Sequence, residues 1–279
     1  MSGSPRPDPG AASIKGRRPL FFGPAGSRLF GLFDPPPKGS RAPTAALICP
    51  PAGQEYVRAH RSLVQLGLRL SRRGIPVLRF DYSGSGDSAG DLEDGSISQW
   101  VDDVGHALDE ARRLSGCDRV RIVGLRLGAT LALLAATDRN DVDALALWAP
   151  VVDGAGHLEE LQRLHQAFLR FAYVDAPPHL AGEEPDEILG FPLTPTLQSE
   201  LEELDLRSIE GRVPSDVLLV QAGPDPGVRE FALALEERGA RVTKGPDPNH
   251  EVWRAETYRG LVATTAIGAI EEWLSRLGP

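Results

Sequence analysis

The stretch VRIVGLRLGATLALLAA, residues 120–136, decides the fold of this chain. A short β-type run leads to Gly124, and the apolar residues after Gly128 extend far enough to form a helix. Between them, GLRLG keeps both glycines of Gly-x-Ser-x-Gly, a pattern in which a sharp strand-to-helix turn exposes a serine. The middle residue is Arg126, so the sequence predicts the turn without a serine nucleophile.

Short β-type runs alternate with longer helical runs on both sides of this turn. We predict strands at 27–34, 44–50, 75–81, 119–124, 142–150, 215–223 and 240–245, and helices at 59–74, 96–116, from the turn to 136, 155–174, 226–239 and 256–278. Such alternation predicts an α/β protein with a mostly parallel central sheet and helices on both faces. In sheets of this kind, ligands bind at the carboxyl ends of the strands.

The spacing of these elements divides the chain into a tail, a core and an insertion. Residues 1–19 are rich in Pro, Gly and Ser and are predicted to be a flexible N-terminal tail. Residues 20–152 and 213–279 carry the alternating elements of the core. The interval 153–212 is too long for a plain crossover, so we interpret it as a lid inserted over the site.

Composition limits the classes of function. The 279-residue chain has a formal net charge of −9, which argues against a nucleic-acid partner. No apolar run reaches about 18 residues, so no membrane span is expected. The two cysteines, Cys49 and Cys117, lie far apart, which favours a reducing, cytoplasmic location. No P-loop, dinucleotide fingerprint or metal-ligand spacing of histidines is present, and neither a cofactor nor a metal is expected.

The motifs and their order resemble the α/β-hydrolase-fold family, in particular its serine-aminopeptidase-like branch, over roughly residues 20–277. DYSGSGDSAGD (81–91) follows a strand, GLRLG stands at the nucleophile elbow, and QAGPDPG (221–227) and NHEVW (249–253) follow late strands. A narrower resemblance, carried by CPPAGQEY (49–56) and LWAPVVDG (147–154) together with the elbow, is to hydrolase-like proteins found with bacterial exosortase systems. That set also tends to carry arginine at the elbow.

The resemblance implies roles for residues outside the elbow. It implies that His250 is the general base and Asp225 its acid partner, with Asp153 as a second candidate for the acid. It also implies an oxyanion hole formed by the backbone N–H of Leu127 and one from the loop after Cys49. Prolines at 50 and 51 have no N–H, so Ala52 or Gly53 would supply the second donor.

Two interpretations of Arg126 remain open. A guanidinium stays protonated and only donates hydrogen bonds, so it cannot act as a nucleophile. At a helix N-terminus it could receive an anion, or it could fill a vacated site by pairing with a carboxylate. Glu55, which follows a neighbouring strand in this fold, is the expected partner. Ser83 or Ser85 in YSGSG and Cys49 are weaker candidates for a nucleophile.

Two functions follow from this sequence. The first is hydrolysis of an ester, thioester or amide, with His250 and Asp225 as the base pair and Arg126 as an anion receptor. The alternative is a catalytically disarmed pseudo-hydrolase that serves as a ligand-binding or scaffold protein. Both predict a small-molecule or acyl ligand as the partner, and both leave a homodimer open.

Overall fold

A computed structural model describes residues 16–40, 42–172, 187–221, 223–247, 252–254 and 261–278. Its strands are β1 Arg18–Phe22, β2 Leu29–Asp34, β3 Thr44–Cys49, β4 Val77–Phe80, β5 Arg119–Leu125, β6 Val142–Trp148, β7 Glu187–Ile188, β8 Phe191–Pro192, β9 Asp216–Gln221 and β10 Arg241–Pro246. Its helices are α1 Gly53–Arg72, α2 Ile97–Ser115, α3 Leu127–Ala136, α4 Gly154–Ala172, α5 Pro195–Glu203, α6 Pro226–Glu237 and α7 Thr264–Arg276.

Eight of these strands form one sheet in the order β1-β2-β4-β3-β5-β6-β9-β10. Strand β2 runs antiparallel to both of its neighbours, and the pairs from β4 to β10 are parallel. All six residues of β3 are buried, as expected for a central strand covered on both faces. The prediction of a mostly parallel sheet is confirmed.

Helices cover the sheet on both faces, which is also as predicted. Leu66 and Leu70 of α1 share one apolar cluster with Ile267 and Ile270 of α7. A second cluster contains Trp100 of α2 together with apolar residues of α3 and α6. No helix within the described ranges is long and apolar enough to span a membrane.

The structure contains elements at the start of the core and within the insertion that were not predicted from the sequence. Strand β1 begins at Arg18, inside the segment interpreted as tail, whose residues 1–15 lie outside the described ranges. Between β6 and β9 the chain forms α4, the β7–β8 hairpin and α5, and residues 173–186 lie outside the described ranges. The hairpin and α5 were not predicted, and they supply much of the wall of the site described next.

Candidate functional site

The GLRLG turn forms a tight elbow between β5 and α3. Arg126 links the two elements with φ 55° and ψ −126°, a backbone conformation that residues with a side chain rarely adopt. A Cβ atom at Gly128 would overlap the carbonyl oxygen of Pro50, and one at Gly124 would overlap the backbone of Ala129. Both glycines are therefore required for the helix to start so close to the neighbouring strand.

Acceptors contact the Nε and Nη2 atoms of the Arg126 guanidinium. Nε donates to Glu55 Oε1 at 2.9 Å, and Nη2 donates to Glu160 Oε2 at 2.9 Å. Nη2 also lies 3.1 Å from His157 Nδ1. The face of the Trp253 ring lies against the cation, with 5.3 Å between Cζ and the ring centroid. The Arg126 side chain is 11% exposed, so these contacts replace most of its water.

A second arginine balances the charge of this group. Arg254 forms an ion pair with the other carboxylate oxygen of Glu160. We call Glu55, Arg126, His157, Glu160 and Arg254 the elbow network. Its two arginines and two glutamates cancel in formal charge, so the network is compatible with a mostly buried position.

His157 is the uncharged member of the elbow network. Burial lowers its pKa to about 4, from an ordinary value of 6.5; the Glu55 charge opposes this shift, while the charges of Arg126 and Arg254 add to it. The imidazole is therefore neutral at pH 7. Because arginine only donates, the Nδ1 atom facing Arg126 must be the acceptor of this neutral ring.

A cleft that is partly open to solvent lies beside the elbow network; the space inside it is about 640 Å³ when the solvent at its mouth is included. Its core side is formed by Ala52, Gly53, Glu55 and Leu127, and its other walls come mainly from the insertion. The apolar residues that line it are Leu92, Trp100, Leu161, Ile188, Leu189, Phe191, Pro192, Leu193, Leu197 and Leu201. The cleft therefore combines a few polar groups at one end with long apolar walls.

Several residues predicted for the site meet at this place. Ala52, Gly53, Glu55 and Leu127 all line the cleft, and Arg126 contacts Glu55 behind it. Leu127 is the first residue of α3, where a helix leaves its backbone N–H groups without intrahelical partners. The two segments expected to supply backbone donors therefore share one cleft.

The acid and base pair is not brought together by the described residues. Asp225 is exposed and caps α6, accepting a hydrogen bond from the Val228 N–H at 3.0 Å. It lines a different cleft, together with Arg229 and Lys244. His250 lies outside the described residues, so its pairing with Asp225 stays a prediction.

The weaker candidates have structural contacts of their own. Asp153 is exposed and accepts a hydrogen bond from the N–H of Gly156. The Ser83 hydroxyl donates to Asp103 at 3.0 Å. Complete burial raises the pKa of the Cys49 thiol far above its ordinary range, which disfavours the thiolate form.

Sequence reasoning missed four residues at the elbow: His157, Glu160, Trp253 and Arg254. A partial signal exists, because His157 and Glu160 are three apart on a helix and so share one face. Nothing in their local sequence, however, indicates that this face meets Arg126. Trp253 is buried, and its indole N–H has no hydrogen-bond partner among the described residues.

The chain is similar to known proteins in part of its sequence. Residues 56–189, which include the elbow and end before Asp225, match the family described as serine aminopeptidase, S33. No curated protein sequence gives a significant match.

Solved structures share the fold at low identity. Est1E from Butyrivibrio proteoclasticus, with ferulic acid bound, is 18% identical with a TM-score of 0.62, covering 92% of this chain and 96% of that chain. Mouse alpha/beta hydrolase domain-containing protein 10 is 21% identical with a TM-score of 0.58, covering 94% and 100% respectively. The Pyrococcus furiosus esterase Pf2001 is 13% identical with a TM-score of 0.60, covering 99% and 96% respectively.

Proposed function

Since this chain is an α/β-hydrolase-like protein that matches the serine aminopeptidase S33 family over residues 56–189, we propose that it binds an acyl-type small molecule beside the elbow. We further propose that it forms no acyl-enzyme through residue 126. It would act as a pseudo-hydrolase, a ligand-binding protein on a hydrolase scaffold. We also propose that the chain is related to the hydrolase-like proteins found with bacterial exosortase systems.

The observation that carries the proposal is that the Arg126 guanidinium already donates hydrogen bonds to neighbouring side chains. Its Nε and Nη2 hydrogens are directed to Glu55, Glu160 and His157, so an anion approaching this side of the guanidinium would have to displace carboxylates that already neutralise the cation. This supports the interpretation of Arg126 as a filled site over that of an anion receptor. A guanidinium also has no lone pair to attack a carbonyl.

The cleft supports an apolar ligand with one polar end. Its leucine-rich walls suit an acyl chain. Burial of each methylene of such a chain contributes roughly 0.8 kcal/mol. An ester, thioester or amide group at the end of the chain would face Ala52, Gly53 and Leu127.

A second function is favoured by one observation. Leu127 and the Ala52–Gly53 segment line the same cleft, so backbone donors for a developing oxyanion could be present without the serine. In this version His250, with Asp225, would activate a water molecule for attack on the carbonyl. The two functions differ in whether His250 is needed for turnover.

One experiment separates them. Wild type, Arg126→Ser and His250→Ala are assayed against p-nitrophenyl esters from acetate to decanoate. Each is also tested for methyl decanoate binding by displacement of the neutral dye Nile red. We expect methyl decanoate to bind all three proteins and wild type to give no turnover. Turnover by wild type that His250→Ala abolishes would replace the proposal with the hydrolytic function. Failure of wild type to bind methyl decanoate would reject an acyl site in the cleft.

A further inference from the structure

The His157 ring joins the elbow network to the cleft. Its Nδ1 atom faces Arg126 Nη2 at 3.1 Å, and the ring itself lines the cleft. Arginine donates and never accepts, so Nδ1 carries the lone pair and the single proton of the neutral imidazole resides on Nε2. Arg126 thus fixes one tautomer of His157.

This tautomer leaves an N–H donor that is free of hydrogen bonds to the part of the chain that the structure describes. No described residue accepts a hydrogen bond from Nε2, although the His157 side chain is only 5% exposed. Because the ring lines a cleft that is partly open to solvent, a ligand in the cleft can accept this hydrogen bond in place of water. Leu127 and Ala52 line the same cleft, so the polar end of the cleft is expected to be rich in donors.

The charges around the donor favour a neutral acceptor. Within the elbow network the two arginines are balanced by Glu55 and Glu160, so the network itself carries no net charge that would attract a carboxylate. Glu55 itself lines the cleft and would repel an anionic head group. A carbonyl oxygen accepts hydrogen bonds without bringing charge.

Building on the proposed function, we propose that His157 is the residue that recognises the ligand, and that the ligand is a neutral acyl compound such as an ester, thioester or amide. The carbonyl oxygen accepts a hydrogen bond from His157 Nε2–H, and the acyl chain lies along the apolar walls. Arg126 is a positioning residue, since it acts through the tautomer of His157.

The test compares methyl decanoate with decyl methyl ether, which keeps the chain and the methoxy group and lacks the carbonyl. Affinities are measured by displacement of the neutral dye Nile red at pH 7.5. Wild type should prefer the ester by about tenfold, the effect of one hydrogen bond. His157→Phe should reduce this preference to below about twofold, and His157→Gln, whose amide restores a donor, should recover most of it.

A spectroscopic measurement reports the tautomer directly. Long-range ¹H–¹⁵N spectra of wild type should show the proton of His157 on Nε2 at pH 7.5. Arg126→Ser should give a mixture of tautomers and a weaker preference for the ester. An Nδ1-protonated ring in wild type would overturn the inference even if His157→Phe does not fold.

The outcomes distinguish the two proposals. If wild type binds neither compound, the proposed function fails and this inference fails with it. If wild type binds the ester and the ether equally, or if folded His157→Phe keeps the full ester preference, only the inference is overturned. A preference for decanoate over methyl decanoate at pH 7.5 would also overturn it, since it would indicate a net cationic site.

Discussion

The elbow network predicts that Arg126→Ser lowers the free energy of unfolding by about 3 kcal/mol at pH 7.5. Among the described residues, Arg126 alone donates a hydrogen bond to the Glu55 carboxylate, whose side chain is 8% exposed. Its removal leaves that carboxylate without its cation in a site with little water. Serine is the residue for which this kind of elbow is shaped, so the substitution adds no new backbone strain.

The expected loss of unfolding free energy depends on which ion pairs Arg126→Ser removes and which it leaves in place. Removing one partner of a buried ion pair costs about 3–5 kcal/mol. Glu160 keeps its ion pair with Arg254, and the open side of the cleft admits some water, so we place the loss at the lower end of that range. Loss of the contact with the Trp253 ring adds roughly 1 kcal/mol at most.

The assay is urea unfolding followed by tryptophan fluorescence, with the midpoint and slope fitted for each variant. Arg113→Ser is the matched control. Arg113 also forms a close ion pair with a glutamate, Glu110 at 2.6 Å, but its side chain is 67% exposed. Its loss should cost less than about 1 kcal/mol.

A double-mutant cycle then isolates the pair of Arg126 and Glu55. The double variant Arg126→Ser/Glu55→Gln replaces the carboxylate that has lost its cation. Its free energy of unfolding should be about 1–2 kcal/mol higher than that of Arg126→Ser alone. The reasoning is refuted if Arg126→Ser is no more destabilising than Arg113→Ser. It is also refuted if the two substitutions at the elbow are additive, since that would mean that the two side chains do not interact.

Two further predictions concern pH and backbone geometry. Since burial lowers the pKa of His157 to about 4 from 6.5, the unfolded chain binds the proton first as the pH falls, so stability should drop by about 3 kcal/mol between pH 6.5 and 4. His157→Gln should remove this component; an unchanged slope in that variant would contradict the assignment. Gly128→Ala should prevent folding, because its Cβ would overlap the backbone of Pro50, whereas Gly105→Ala, in open space within α2, should stabilise by up to about 1 kcal/mol. Comparable soluble yields and melting temperatures for the two alanine variants would rule out the steric argument.

Much of the fold could be predicted because its signals are local. In the strands and the amphipathic helices, the spacing of apolar residues can be recognised within a few residues. The glycines of GLRLG indicate a turn by themselves. Strand β1 was missed because it lies at the edge of the sheet and is mostly exposed, so its residues show little alternation. Helix α5 carried a start signal that sequence reasoning overlooked, with Thr194 as its cap and Pro195 at its first position.

The candidate site was only partly accessible from the sequence. Contact between Arg126 and Glu55 could be anticipated, because β3 and β5 are neighbours and α1 starts directly after β3. Contacts to α4 depend on how the insertion folds back over the core, which no local pattern encodes. Asp225 shows the opposite difficulty: Asp before Pro in a loop also suits the capping role that Asp225 has on α6.

The contacts in the elbow network indicate that several other residues of this site are matched to the arginine at position 126. Arg126 is therefore more than one change in an otherwise ordinary hydrolase. A cation placed alone at a buried elbow would cost several kcal/mol, and the turn would not tolerate it without partners. Here Glu55 comes from α1, Glu160 and His157 come from the insertion, and Arg254 balances the second carboxylate. Arg126→Ser would therefore leave the Glu55 carboxylate without its cation beside the elbow, where its charge would oppose a developing oxyanion. For that reason we expect Arg126→Ser to lose stability without gaining esterase activity.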